Sequence, residues 1–154
     1  MRLQYASDLH LEIPANRDFV LAGALEPAAE YLLLAGDISL LSDWHKADAF
    51  WDWCARSFQH TWIVPGNHDY HADRSNLLGL ASLQVPVRPN VTYANNVCVH
   101  VEEVSLVLTT LWSAITLQKT EIEEEVVDYR QIYFDGKTIS TEIVNRLHLS
   151  LIHI

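Results

Sequence analysis

The chain is short of basic residues. Ten Lys and Arg stand against twenty Asp and Glu, a formal charge of -10. Affinity won by neutralising nucleic-acid phosphates is excluded by that balance. A nuclease stays compatible only because bound divalent cations supply positive charge locally, and no basic patch or basic-aromatic interleaving favours one. Cysteine is scarce as well. Cys54 and Cys98 lie far apart, in no metal-type spacing, and read as reduced core thiols. No secretory signal opens the chain, since Met1-Arg2 leads straight into a strand-like run and Asp8 interrupts any hydrophobic region. The uncharged run Val104–Leu117 is too short and too rich in Ser and Thr to span a bilayer. Internal repeats, low-complexity tracts and linkers are missing too. The expectation is one cytoplasmic domain with no membrane partner.

What the chain has in quantity is apolar. Nearly half of its residues are hydrophobic, with five Trp and six Tyr, enough for a substantial core. Arg2–Ala6 reads as a first strand. Tyr31–Ala35 is a continuous apolar run suited to a central strand covered on both faces, and His60–Val64 reads as a third strand. Residues 14–29 read as a loop with a short helix. Asp43 is placed to cap a helix in which Trp44, Ala47, Trp51, Cys54 and Phe58 make one apolar stripe. This order predicts right-handed crossovers onto a mostly parallel sheet.

Beyond residue 70 the pattern changes. Residues 73–83 read as helical, whereas Val85–Pro89 cannot be, because proline disfavours helix in the residue before it. Val97, Val99 and Val101 alternate with Cys98, His100 and Glu102, a half-buried strand after an Asn95-Asn96 turn. Residues 105–111 read as its neighbour, with Glu102-Glu103 near the bend. The acidic stretch Glu121–Arg130 fits a loop or an exposed helix. Ser140 caps a last helix that gathers Ile143, Val144 and Leu147 on one side.

Three strand-like runs end in residues with metal-ligand chemistry. The first closes in Tyr5-Ala6-Ser7-Asp8-Leu9-His10, the second in Leu34-Ala35-Gly36-Asp37, and the third in Val64-Pro65-Gly66-Asn67-His68-Asp69-Tyr70. Their spacing of about thirty residues is that of a βαβ unit. Ligands of open α/β sheets bind beyond the carboxyl ends of the strands, so one crevice should receive Asp8, His10, Asp37, Asn67 and His68.

Asp-x-His, then Gly-Asp, then Gly-Asn-His-Asp, each after a hydrophobic strand, resembles the calcineurin-like metallophosphoesterases. The resemblance implies a β-sandwich of α/β class flanked by helices. It also implies a site holding two divalent metal ions that hydrolyses phosphomonoester or phosphodiester bonds. Two ions roughly 3.5–4 Å apart generate a hydroxide nucleophile and relieve charge on the phosphoryl oxygens. Asp8 and His10, two apart on an extended segment, point to one side and bind the first ion. Asp37, alone at the middle strand end, bridges, and Asn67 offers its amide oxygen to the second ion. This mixed N and O set suits Mn, Fe or Zn. By resemblance His68 contacts the phosphate and protonates the leaving oxygen, a role that suits an imidazole. The expected partner is a small-molecule or nucleotide phosphate ester, with nucleic acid less favoured.

Other residues read more blandly. Asp69 is a turn-stabilising residue, and Gly36 and Gly66 allow the backbone to turn close to the metals. His45 is an exposed helix residue and His100 faces the alternate side of its strand, while His71 is near enough to His68 to line the cleft but fits a surface turn better. Trp44 and Trp51 are core residues. Thr110-Leu111-Trp112-Ser113 is similar to a segment of a bacterial and phage subgroup of the family, although core packing by Trp112 serves equally well. The Gly-Asp motif lacks the Asp-Arg-Gly continuation of the Ser/Thr protein phosphatases, which disfavours that activity.

The family completes its metals with a later lone histidine and a Gly-His-x-His stretch, and neither is matched here. Leu149–Ile154 looks like the translation of a sequencing adapter. The expectation is therefore a domain over residues 1–148 that holds only the N-terminal half of the sandwich and is not itself a competent enzyme. The alternative reading is a metal-binding or interaction module that keeps the fold without turnover.

Overall fold

The computed structural model describes residues 1–150. Strands β1 (Leu3–Ala6), β2 (Tyr31–Ala35) and β3 (His60–Val64) run parallel, with Leu3 beside Tyr31 and Tyr31 beside His60. The in-register pairing brings all three strands to an end at one edge of the sheet. The chain continues through α1 (Pro14–Phe19), whose Pro14 at the first turn gives up an N–H that has no helical partner there. One further turn, Val20–Ala24, follows it before β2.

The segment before β3 differs from the single capped helix expected. Trp44–Ala47 is a tight 3-10 turn, and α2 proper is Asp48–Ser57. Asp43 does not cap it. Its carboxylate instead accepts from Lys46 Nζ at 2.7 Å. The apolar stripe nonetheless does its packing, because Phe50, Trp51 and Cys54 are fully buried and Phe58 follows in extended backbone.

Residues 73–83 are not a helix. The Asp73 carboxylate takes the Ser75 amide and hydroxyl and the Leu77 amide, and Asn76 sits in left-handed backbone. Local side-chain bonding of this kind competes with the helical ladder, and only the turn Leu77–Gly79 survives. Next come β4 (Leu83–Arg88) and β5 (Val91–Asn95), which complete a five-stranded sheet in the order β1-β2-β3-β5-β4. β5 is parallel to β3, and β4 antiparallel to β5. Pro86 is tolerated because β4 is the edge strand, where its missing N–H interrupts no ladder.

A hairpin of β6 (Val97–Val101) and β7 (Val104–Leu108) forms a separate two-stranded sheet, turning at Glu102 in left-handed backbone. Leu32, Leu34 and Ile63 on one face of the large sheet join Trp51, Tyr70 and Tyr93 in the main core. Trp62 and Val64, on the other face, pack with Val97 and Leu108 in a second, smaller core beneath the hairpin. Alternate residues of β3 thus serve both cores, which accounts for its unbroken hydrophobic sequence. The result is an α/β architecture with a central sheet flanked by helices on one side and a second sheet on the other.

The acidic stretch resolves into two short helices, α3 (Lys119–Glu125) and α4 (Asp128–Gln131). A small ribbon of β8 (Tyr133–Phe134) and β9 (Lys137–Thr138) leads to α5 (Thr141–Ser150). The Ser140 hydroxyl accepts from Ile143 N at the start of α5, and Ile143, Val144 and Leu147 face the core. Within the expected adapter tail, residues 151–154 lie outside the described residues. No helix among the described residues is long and apolar enough to cross a membrane.

Candidate metal centre

The loops that leave β1 and β2 are zipped together past the ends of their strands. Asp8 N donates to Gly36 O at 3.0 Å, His10 N to Asp37 O at 3.0 Å, and Leu11 N to Ile38 O at 2.8 Å. Asp8, His10 and Asp37 all have positive φ, at 57°, 46° and 56°. Asp8 and His10 are therefore not in an extended segment, as their spacing had implied. They still reach one place because the zipper and the left-handed turns aim them there. One ligand atom from each of Asp8, His10 and Asp37 lies within 4.8 Å of the others. Left-handed backbone is uncommon outside glycine, and such residues persist where the surroundings over-determine them.

The third loop is fastened to the second by Asp69. This carboxylate is fully buried. Its Oδ2 accepts from Gly66 N at 2.6 Å and Asp37 N at 2.8 Å, and its Oδ1 from Ser39 N at 2.8 Å and Ile38 N at 3.0 Å. Burial pushes the Asp69 carboxyl up to about 7, and the Asp37 charge pushes the same way, against the lowering pull of the amide N–H groups of Gly66, Ser39 and Asp37. Asp69 is thus the turn-stabilising residue that its place in the motif implied, and it stabilises two loops.

Asp37 Oδ1 accepts from His68 N at 3.0 Å, so the middle motif touches both of the others. The contact demands glycine at 66. A Cβ there would strike the Asp37 carboxylate and stand 2.6 Å from its amide nitrogen. Gly36, at φ 92°, faces Gly66 in turn, where a Cβ would come within 3.1 Å of the Gly66 Cα.

Asn67 is exposed, and its Nδ2 donates to Asp128 Oδ2 at 3.0 Å. That bond occupies the amide nitrogen and leaves Oδ1 out of it. The His68 ring meets His10 edge-on with centroids 4.7 Å apart, and lies 4.4 Å from the His71 ring. His71 is not a surface-turn residue. Its side chain is mostly buried, and its Nε2 pairs with Asp128 Oδ1 at 2.8 Å. The His71 bond, partly offset by burial, holds the Asp128 carboxyl below its ordinary value.

Three further residues at this edge were not among the sequence candidates. Glu12 Oε1 accepts from His10 Nδ1 at 3.0 Å and lies 3.2 Å from His68 Nε2. Its signal was available, since Asp8, His10 and Glu12 alternate. Asp128 arrives from α4, with nothing in its acidic surroundings to mark it. Thr110 supports the third loop by donating its hydroxyl to Pro65 O at 2.6 Å and its amide to Asn95 Oδ1 at 2.8 Å. Trp112 packs against the main core, near Tyr70. His45 and His100 are exposed and remote from these contacts.

Imidazole, carboxylate and amide donors gathered at strand ends fit a divalent metal of borderline or hard character. The chain belongs to the calcineurin-like phosphoesterase family, whose family model matches residues 1–143. It is 27% identical over 146 residues to an uncharacterised protein of Acanthamoeba polyphaga mimivirus, a match that covers 84% of this chain and 51% of that protein. In fold it is similar to the phosphopantetheinyl hydrolase of Mycobacterium tuberculosis. The TM-score is 0.58 at 16% identity, over 98% of this chain and 62% of that one. The chain therefore spans about half the length of the curated relative it matches.

Proposed function

We propose that this chain carries part of the active centre of a cytoplasmic hydrolase that cleaves phosphomonoester or phosphodiester bonds with two divalent ions, Mn, Fe or Zn. The observation that carries the reading is the convergence of Asp8, His10 and Asp37 within 4.8 Å in a chain of this family. The ions, when bound, supply the hydroxide nucleophile and neutralise phosphoryl charge. Asp8 and His10 would hold one, Asn67 would hold the other through Oδ1, and Asp37 would serve both. His68 stands beside this set, orients the phosphate and gives a proton to the leaving oxygen. Its backbone N–H, bonded to Asp37 Oδ1, fixes where that ring can reach. Two unpaired cysteines agree with a reducing compartment.

The donor count limits what this chain does alone. Among the motif residues assigned to the ions, it offers Asp8, His10 and Asp37 to one but only Asp37 and Asn67 to the other. It therefore binds one ion more readily than two and does not turn over. The test is hydrolysis of a chromogenic phosphodiester in Mn, by this chain and by the complete product of the gene that encodes it. Turnover by the complete product alone is expected. Turnover by neither would favour a metal-binding module, and turnover by this chain would overthrow the donor count.

A further inference from the structure

Of the carboxylates at this edge outside the three motifs, Glu12 is the one that touches both motif histidines. Glu12 follows Asp8 and His10 at the same two-residue step, and its side chain is only 17% exposed. A carboxylate withdrawn from water needs partners, and those of Oε1 are two imidazoles from different loops. His10 Nδ1 hydrogen-bonds it at 3.0 Å, and His68 Nε2 lies at 3.2 Å. An ionised carboxylate only accepts, so the His10 proton in that bond sits on Nδ1. The nitrogen left bare is Nε2, the only ring atom of His10 then able to take a metal beside Asp8 and Asp37. Which imidazole nitrogen binds a metal is set by the bond the other makes.

We infer that Glu12 is a positioning residue that fixes the Nδ1–H tautomer and ring plane of His10, presenting its Nε2 as a metal ligand, and that it braces His68 from the same oxygen. This rests on the phosphoesterase reading only for its consequence in catalysis, since the positioning exists without substrate. The local backbone explains the reach. His10 sits at φ 46°, and Ile13 N donates to His10 O at 3.0 Å, closing a turn that contains Glu12. Asn16 Nδ2 holds the Leu9 and His10 carbonyls at 3.1 and 3.3 Å and secures that turn. Glu12 is thus held by the loop that carries its client.

The deciding experiment is long-range proton–nitrogen NMR of the histidine rings in the metal-free 154-residue chain, at about pH 8 where an ordinary imidazole is neutral. Wild-type His10 should carry its proton on Nδ1. Glu12→Ala should move it to Nε2, and Glu12→Gln, whose amide oxygen still accepts, should retain it on Nδ1. Calorimetric titration of the same three proteins with Mn should show affinity weakened by about 10–100-fold in Glu12→Ala, the usual cost of losing a group that orients a ligand, and by less in Glu12→Gln. A wild-type His10 protonated on Nε2 overturns the inference, even if Glu12→Ala does not fold. So does a Glu12→Gln variant that loses Mn as fully as Glu12→Ala while His10 keeps its tautomer, because Glu12 would then be a ligand itself. Neither readout uses a substrate. Failure of the complete gene product to hydrolyse a phosphodiester would therefore remove the functional reading and leave this one standing.

Discussion

The Asp69 carboxylate stands 2.8 Å from the amide nitrogen of Asp37, a hydrogen bond across 32 residues of sequence. The same side chain takes the amides of Ile38, Ser39 and Gly66. A residue with no place among the metal donors thus fixes where the middle donor and its neighbour loop sit. Site geometry here is a property of backbone N–H groups converging on one buried carboxyl group.

Asp69→Asn is therefore not conservative. The amide keeps one acceptor oxygen but turns an NH2 toward two N–H donors. Each buried donor left unpaired costs about 1–3 kcal/mol. Urea unfolding should show a loss of a few kcal/mol, and an unchanged midpoint would contradict the anchoring role.

Gly66→Ala should disturb Mn binding more than its one methyl group suggests. The new Cβ meets the Asp37 carboxylate and amide nitrogen, and these cannot yield without breaking the bonds to His68 N and to Asp69. Cores and tight loops overpacked in this way typically lose about 1–3 kcal/mol. Calorimetry with Mn on the folded fraction should show weakened binding, and unchanged binding would contradict the close approach of Gly66 to Asp37.

The two thiols should differ in reactivity. Burial pushes Cys54 up to about 12, whereas Cys98 is exposed on β6. The thiolate is the reactive form, so Ellman's reagent should titrate one thiol in the folded chain and two in denaturant. Rapid reaction of both in the folded chain would contradict the packing of α2.

In the complete gene product, His68→Ala should lower turnover by about 10²–10⁴-fold, the usual contribution of a general acid, with metal content unchanged. Loss of metal at unchanged activity per ion would make His68 a ligand instead.

Much of this was legible in the chain. β2 and β3 were readable to the residue because runs such as Leu32-Leu33-Leu34 and Trp62-Ile63-Val64 feed cores on both faces. The three motif loops were readable because their donors follow those strands directly. What escaped notice depended on distant contacts. β4 and β5 were obscured by Pro86, which is harmless only because β4 lies at the sheet edge. The helix expected over residues 73–83 was undone by the Asp73 side chain bonding its own loop. Asp128 reaches Asn67 across 61 residues, a contact without any local signature. The place of His71 was ambiguous for the same reason, since its partner is Asp128.

The measurement that tests the account most directly is calorimetric titration of the 154-residue chain with Mn, wild type beside Asp37→Asn. Asp37 is where the three motifs meet, since its carboxylate takes the His68 amide and its carbonyl the His10 amide. Wild type should bind one ion measurably and a second far more weakly, and Asp37→Asn should abolish the second and sharply weaken the first. Binding of Mn that is unchanged in Asp37→Asn would contradict the site outright.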